Sequence, residues 1–122
     1  MARDVWELDA FRRAYAISLD VHRVSLGFPK SEQYGGVADQ VRRSCKAVCA
    51  LLAEGSGRQL GSNSEFRRYV VMALGSADET KLWSAYCRDL GYIEAATAAQ
   101  WVAAYGEIAR MLQGLLKHLS DN

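Results

Sequence analysis

The stretch RRSCKAVCALLAEGSGR, residues 42–58, gives the clearest indication of the fold. One apolar stripe runs through it at helical spacing: Val41, Cys45, Val48 and Leu52. Gly55 and Gly57 follow, and glycine adopts the left-handed dihedrals of a helix end without a steric penalty. We therefore predict an amphipathic helix over residues 36–54.

The sequence on either side of this stretch contains three further helical segments. Asp4 with Glu7, and Ser62 with Glu65, have the spacing of capping boxes, which predicts helix starts at these points. Pro29 blocks continuation of the first helix. The predicted helices cover residues 4–26, 36–54, 63–89 and 94–119. Long amphipathic segments with short loops indicate an all-α fold, an up-down-up-down antiparallel four-helix bundle, as one domain over residues 1–122.

Helical spacing also predicts which faces are buried. The expected inner stripe of the first helix is Leu8, Phe11, Tyr15 and Leu19, together with the nearby Ala14, Ser18 and His22. That of the fourth helix is Ala98, Trp101, Val102, Tyr105, Ile108, Ala109, Leu112, Leu115, Leu116 and Leu119. Gly75 lies inside the third helix, where glycine costs about 1 kcal/mol relative to alanine, so it predicts close approach of a neighbouring backbone. Gly91 is expected in the left-handed position that ends this helix.

Composition excludes several classes of protein. Of 122 residues, 50% are hydrophobic and 24% charged, which is typical of a globular domain, and the net charge of +1 excludes a polycation that binds nucleic acid by overall charge. No signal peptide or membrane-length apolar run is visible, so we expect a cytoplasmic protein. The three cysteines predict reduced thiols, and Cys45 and Cys49, one helical turn apart, share no ligand spacing with His22 or His118. We expect no metal and no cofactor.

Several short motifs together resemble a known family. They are LDAFRRA at 8–14, FPK at 28–30, YG at 34–35, QVRR at 40–43, AEGSGR at 53–58, EF at 65–66 with Tyr69, ALGS at 73–76 with Glu79, and LGYI at 90–93. In this order they resemble the four-helix bundle proteins encoded in intervening sequences of 23S ribosomal RNA genes. Phe11 stands where that family usually has tryptophan. Residues 47–51, AVCAL, lack the serine and asparagine of the family's Ser-Ile-x-x-Asn segment, so no polar role of those two residues carries over.

The resemblance implies an assembly rather than an enzyme. Family members look like homopentamers around a central channel, and their biochemical role is poorly defined. A related group is the basic accessory proteins of diversity-generating retroelements, which associate with a reverse transcriptase and nucleic acid. That group looks much more basic than the +1 of this chain, so an accessory role ranks behind the others.

A basic cluster is the best candidate for a functional site. It consists of Arg42, Arg43, Lys46, Arg58, Arg67 and Arg68. Only Glu54 and Glu65 are acidic over residues 42–68, which leaves a local excess of four positive charges. Five copies in a ring would concentrate this charge, as phosphate binding requires. The alternative is that the arginines form structural ion pairs with Asp39, Glu54, Glu79 or carboxylates of a neighbouring chain.

The acidic residues do not predict catalysis. Glu54 and Glu79 could form a paired-carboxylate acid and base, but no metal cluster or oriented nucleophile accompanies them. We interpret both as ion-pair partners of arginines. The Gly55-Ser56-Gly57 segment matches neither the Gly-x-Ser-x-Gly nucleophile elbow nor a P-loop. No enzymatic activity is expected.

Two tryptophans are candidates for a subunit interface. Trp83 lies off the apolar face of the third helix, and Trp6 precedes the first stripe. Exposed tryptophans are frequent interface anchors. The sequence therefore predicts a self-assembling bundle that binds structured nucleic acid, RNA or DNA, through its basic cluster. The alternatives are a scaffold for an unidentified protein and an accessory subunit of a reverse transcriptase.

Overall fold

The structure, a computed structural model, describes residues 4–59 and 62–119. It contains four long helices: α1 (Asp9–Ser25), α2 (Val37–Arg58), α3 (Asn63–Asp89) and α4 (Ala95–His118). Two short 3₁₀ helices, Val5–Glu7 and Lys30–Glu32, precede α1 and α2, and no strand occurs in the described ranges. α1 packs against α2 and α4, and α3 packs against the same two helices. The fold is therefore an all-α helical bundle.

The α2 stripe lies at the centre of the bundle. All four predicted residues, Val41, Cys45, Val48 and Leu52, are fully buried. Large buried side chains from the neighbouring helices pack in the same core, among them Phe66, Val70, Trp101, Tyr105, Ile108 and Leu112. The inner face of α3 contributes Tyr69, Ala73 and Ala77, which are also buried.

The first helix begins later than predicted. The Asp4–Glu7 capping box forms, but it caps the 3₁₀ helix Val5–Glu7, and α1 begins at Asp9. Leu8 separates the two because its backbone is extended, with φ −82° and ψ 123°, and its side chain is buried. The capping signal was therefore correct, but it did not mark the start of the long helix.

The second helix continues through the glycines that were predicted to end it. α2 runs to Arg58 rather than to residue 54, and neither Gly55 nor Gly57 has a positive φ. Gly55 is buried against α3, where an added Cβ atom would lie 2.6 Å from Cβ of Tyr69. The predicted loop at 55–63 is thus shorter, and its residues 60–61 lie outside the described part of the chain.

The third helix has the predicted range, but the close approach predicted at Gly75 is absent. Gly75 is exposed, and an added Cβ would meet no atom of the described chain within 4 Å. The close approach occurs at Gly55 instead. Gly91 has φ +82°, which confirms the predicted left-handed end of α3.

Parts of the predicted α1 and α4 stripes face solvent. Tyr15 is 41% exposed and Leu19 is 36% exposed, whereas Ile17 and Val21 are buried. α1 packs on both α2 and α4, so its inner face is centred on Ala14, and Tyr15 and Leu19 lie one residue too far round the helix. In α4, Val102 also lies off the inner face and is 37% exposed, and Leu115 and Leu116 are only half-buried.

A carboxylate joins two loops at one end of the bundle. Glu32 accepts hydrogen bonds from the backbone N–H of Val37, at 2.9 Å, and from the hydroxyl of Tyr92, at 2.7 Å. The first bond satisfies an N–H at the start of α2, and the second joins the α1–α2 loop to the α3–α4 loop. The Tyr92 hydroxyl and then the Val37 N–H lower the pKa of Glu32 from its ordinary value of 4.5.

The Glu32 contacts predict a pH-dependent stability. Because the folded pKa of Glu32 is depressed, its contribution is present above about pH 4.5 and is lost as the pH falls through the folded pKa. We expect Tyr92→Phe to lower the melting temperature at pH 7, with a smaller difference from wild type at pH 3. Thermal melts at both pH values measure this. An equal difference at the two pH values would show that Tyr92 does not act through the carboxylate.

Candidate nucleic-acid interface

The structure divides the predicted basic cluster into two groups. The first group is Arg42, Arg43 and Lys46, and the second is Arg58, Arg67 and Arg68. Arg42, Arg43 and Lys46 lie on the first half of α2, whereas Arg58 ends that helix. Sixteen residues of continuous helix separate Arg42 from Arg58, a distance of about 24 Å along the axis. Arg67 and Arg68 lie on the first turns of α3, after the α2–α3 loop. The six residues therefore do not form one site within a single chain.

Two members of the second group, Arg58 and Arg68, form ion pairs. Nη2 of Arg58 lies 3.2 Å from Oε2 of Glu54, and Nη2 of Arg68 lies 3.6 Å from Oε2 of Glu65. The bond from Glu54 also raises the pKa of Arg58. Both guanidinium groups lie over the ring of Tyr69, at 5.3 Å and 5.1 Å from its centroid. These contacts join α2 to α3 and leave little charge for a ligand.

Arg67 fixes the position of α4. Its Nη1 donates a 2.6 Å hydrogen bond to the carbonyl oxygen of Leu116, near the end of α4. A cation at this position satisfies a carbonyl and stabilises the negative end of the helix dipole. We therefore assign Arg67 a structural role.

Arg42 belongs to the first group but also holds the α1–α2 loop. It is half-buried, and it donates to Oγ of Ser25 at 2.9 Å and to the carbonyl of Gln33 at 3.1 Å. The side chain of Gln33 donates in turn to the carbonyls of Ser25 and Phe28. The hydrogen-bond acceptors of Arg42 are neutral oxygens, so its positive charge is positioned without being paired.

Arg43 and Lys46 are both exposed, but only one of them has an acidic partner. Nε of Arg43 lies 3.2 Å from Oδ1 of Asp39, whose other oxygen accepts a 2.8 Å bond from the N–H of Gly35. The Gly35 N–H is the largest cause of the lowered pKa of Asp39, and Arg43 also contributes. Lys46 forms no ion pair with any residue in the described ranges.

The α1–α2 loop brings further groups to this end of the bundle. An open groove of about 810 Å³ lies between the end of α1, the loop and α2. Its lining residues are His22, Leu26, Lys30, Gln33, Tyr34 and Arg42. Three stretches that carry the family resemblance, at 28–30, 34–35 and 40–43, contribute residues to or beside this groove.

The pKa of His22 is lowered, by burial and also by the positive charges of the residues around the groove. Burial lowers its pKa first, and the nearby charges of Lys46, Arg42 and Arg23 lower it further. We name Arg23, Lys30, Arg42, Arg43 and Lys46 together the cationic surface. Sequence reasoning missed Arg23 and Lys30 because they lie before α2, and only folding of the loop brings them to Arg42.

The two glutamates considered for catalysis lie apart. Glu54 pairs with Arg58 and accepts a 2.9 Å bond from the hydroxyl of Tyr69. Glu79 accepts a 2.9 Å bond from the indole N–H of Trp83, rather than pairing with an arginine as predicted. Tyr69 and Glu79 are ten residues apart on α3, which corresponds to about 15 Å, so the two carboxylates do not share a site.

The thiols lie in or beside the core. Burial raises the pKa of Cys45 to about 12 and of Cys87 to about 11, and it also raises the pKa of Cys49. Protonated thiols of this kind are poor nucleophiles and poor metal ligands. Residues 4–59 and 62–119 contain no group of three or more His, Cys, Asp or Glu side chains that could hold a metal ion.

The two tryptophans predicted at an interface differ in exposure. Trp6 is 50% exposed and packs edge-on against Phe11 and Tyr15, with ring centroids 4.8 Å and 4.9 Å apart. Trp83 is half-buried against the core, and its ring lies 5.3 Å from that of Tyr86. An exposed tryptophan is thus present at position 6 but not at position 83.

A helical bundle with one cationic end is the class of protein that these features define. The family model described as 23S rRNA-intervening sequence protein matches residues 6–114, and the chain belongs to this family. A protein of unknown function from the S23 ribosomal protein family of Bacteroides thetaiotaomicron VPI-5482 has a similar crystal structure. The two share 18% identity over 88% of this chain and 95% of that chain, with a TM-score of 0.78, which establishes similarity of fold alone. No curated protein gives a significant match.

No helix in the described ranges combines the length and apolar character that a membrane crossing requires.

Proposed function

We propose that this protein is a cytoplasmic, non-enzymatic, self-assembling bundle that binds structured nucleic acid through its cationic surface. Residues 22–46 contain five basic residues and two acidic ones, an excess of three in a chain whose net charge is +1. By contrast, residues 54–68 contain three basic and two acidic residues. Positive charge is thus concentrated at one end, as phosphate binding requires.

The observation that carries the proposal is that four of the five cations of the cationic surface form no ion pair in the described residues, whereas Arg43 pairs with Asp39. Within the described part of the chain, Arg23, Lys30 and Lys46 form no ion pair, and Arg42 bonds only to neutral oxygens. Arg58, by contrast, lies beside the carboxylate of Glu54. Unpaired cations have a favourable partner in the phosphates of a nucleic acid, which release bound counterions.

The antiparallel up-down-up-down arrangement is part of the same proposal. Arg13 on α1 lies 2.7 Å from Glu107 on α4, while Asp20, further along α1, contacts Trp101, earlier in α4. The bond from Arg67 at the start of α3 to the end of α4 likewise favours opposite directions for those helices. Short loops between such helices support this topology.

Self-assembly is supported by an exposed apolar stripe on α3. It consists of Leu82 and Tyr86 near the end of α3 and of Leu90, which directly follows the helix, and each is about half exposed. Apolar side chains at helical spacing on an outer face are typical of an interface between subunits. The resemblance implies five subunits in a ring, and we propose that this stripe and Trp6 contribute to their contacts.

Light scattering tests the assembly. We expect the wild type to have five times the mass of one chain, and Leu82→Glu to lower that mass by burying a charge in the contact. Trp6→Ala and Trp83→Ala test the two tryptophans, and Gln100→Glu, a new charge on exposed α4 surface, is the control. A wild type that scatters as a monomer would refute self-assembly.

The salt dependence of binding tests the nucleic-acid function. Fluorescence anisotropy with a labelled structured RNA and a duplex DNA is measured over a range of salt concentrations. We expect Arg43→Ala with Lys46→Ala to weaken binding and to reduce the slope of log K against log salt by about 1.8 for duplex DNA, since two phosphate contacts are lost. Arg42 is avoided in this variant because its removal would also loosen the loop.

The matched control removes two charges elsewhere. Arg58→Ala with Arg68→Ala lowers the net charge of +1 by the same two units, but it alters the paired group at the other end. We expect this variant to retain the wild-type slope. Equal losses in both variants would indicate non-specific charge attraction. If the wild type binds neither nucleic acid at low salt, the nucleic-acid function is refuted. The exposed α3 stripe then favours the alternatives, a protein scaffold or an accessory subunit.

A further inference from the structure

The groove at the cationic end has the size and lining of a ligand site. Its volume of about 810 Å³ falls within the range of about 300–1,000 Å³ that small-molecule sites occupy. Its lining combines basic groups with an aromatic and an aliphatic side chain that are not part of the core. It is distinct from the exposed faces of Arg43 and Lys46, which do not line it.

The charged side chains that line the groove are basic. Lys30 and Arg42 form part of its wall, and Arg23 and Lys46 are close enough to lower the pKa of His22 there. The nearest acidic residues in the loop are engaged elsewhere. Glu32 binds Tyr92 and the N–H of Val37, and Asp39 binds the N–H of Gly35 and Arg43. An anionic group is therefore the complementary ligand.

Tyr34 gives the groove an unoccupied aromatic surface. Its side chain is 94% exposed, the highest value among the exposed large apolar and aromatic side chains of the described chain, and Leu26 beside the groove is 59% exposed. The backbone next to Tyr34 is held, because the N–H of Gly35 donates to Asp39. A solvated ring on a fixed backbone beside basic groups is typical of a stacking platform for nucleic-acid bases.

The wall also contains a polar atom that the fold does not use. Nδ1 of His22 is buried, and it has no hydrogen-bond partner in the described residues. This nitrogen can therefore form a hydrogen bond with a group bound in the groove.

We propose that this groove binds one unpaired nucleotide of a nucleic-acid strand, with its phosphate against Lys30 and Arg42 and its base stacked on Tyr34. This inference rests on the proposed function and specifies which part of the nucleic acid enters the site. Interior base pairs of a duplex are stacked on both faces and present none to Tyr34, whereas loop or single-stranded bases do. The cationic surface contacts the flanking phosphates.

The test compares two variants of Tyr34 on two RNAs. A labelled single-stranded RNA and a blunt duplex of the same sequence are titrated by fluorescence anisotropy. We expect Tyr34→Ala to weaken single-strand binding by about 5- to 150-fold, since stacking contributes about 1–3 kcal/mol per base. Tyr34→Phe retains the ring and should bind as the wild type does. For the blunt duplex, in which only the two terminal base pairs have a free face, Tyr34→Ala should change binding much less than for the single strand.

The outcomes separate this inference from the proposed function. If Tyr34→Ala binds the single strand like the wild type, while Arg43→Ala with Lys46→Ala loses affinity, the groove proposal is overturned and the nucleic-acid function stands. If free uridine 5′-monophosphate displaces the oligonucleotide at concentrations close to those of unlabelled RNA, the groove is a mononucleotide site, and the strand proposal is overturned. Binding of neither RNA by the wild type would remove both.

Discussion

Gly55→Val is expected to lower the free energy of unfolding by about 3 kcal/mol, because α2 and α3 approach each other closely at this residue. An added Cβ at Gly55 would lie 2.6 Å from Cβ of Tyr69 and 3.1 Å from Cδ1 of Phe66. Cβ of Tyr69 is bonded directly to the α3 backbone, so it cannot move aside by changing rotamer. The two helices must separate, and the bond from the Tyr69 hydroxyl to Glu54 would be strained.

Gly57→Val is the matched control, two residues further along the same helix. An added Cβ at Gly57 would meet no atom within 4 Å in the described chain. Valine is a better helix former than glycine, so we expect stability to be unchanged or to rise by about 0.3 kcal/mol. Thermal and urea unfolding measure both variants, and a loss of about 3 kcal/mol corresponds to about 10 °C in a domain of this size. Equal melting temperatures for the two variants would contradict the close approach at Gly55.

The same glycines show where sequence reasoning reached its limit. A Gly-Ser-Gly run after an apolar stripe predicts a helix end from local preference. In the structure α2 continues to Arg58, because packing against Tyr69 requires a residue without a side chain at position 55. Tertiary contact overrides local preference here, and nothing in a single sequence distinguishes a glycine that ends a helix from one that admits a neighbour. At Gly75 the sequence predicted that a neighbouring backbone would approach, but none does within the described chain.

The candidate site was predictable only within one helix. Arg42, Arg43 and Lys46 lie off the buried stripe of α2, and helical spacing alone is enough to place them there. It also grouped them with Arg58, since a count over a sequence window ignores the rise of about 1.5 Å per residue that separates the two ends. Tyr34 joins the site through a loop whose path depends on a hydrogen bond that the Glu32 side chain accepts and one that the Gln33 side chain donates, and helical periodicity encodes neither.

Asp20→Ala is expected to lower the free energy of unfolding by about 1–3 kcal/mol, through its effect on Trp101. Trp101 is fully buried between the helices, and its indole N–H donates a 2.9 Å bond to Oδ2 of Asp20. The indole nitrogen is a donor only, so it requires an acceptor when it is removed from water. Deleting the carboxylate leaves that donor without its protein partner. Asp20→Asn keeps an oxygen at the same place and should lose much less.

A double-mutant cycle isolates this bond from other effects of the substitutions. Trp101→Phe removes the N–H and leaves a cavity, so it destabilises by itself. In that background we expect Asp20→Ala to cost less than about 0.5 kcal/mol, because no buried donor remains to be satisfied. Urea unfolding of the four proteins gives the coupling energy. A cost for Asp20→Ala that is the same with tryptophan or phenylalanine at position 101 would show that Asp20 acts on its surroundings in another way. A coupling above about 1 kcal/mol would establish that one exposed carboxylate on α1 sets the position of the largest buried side chain of α4.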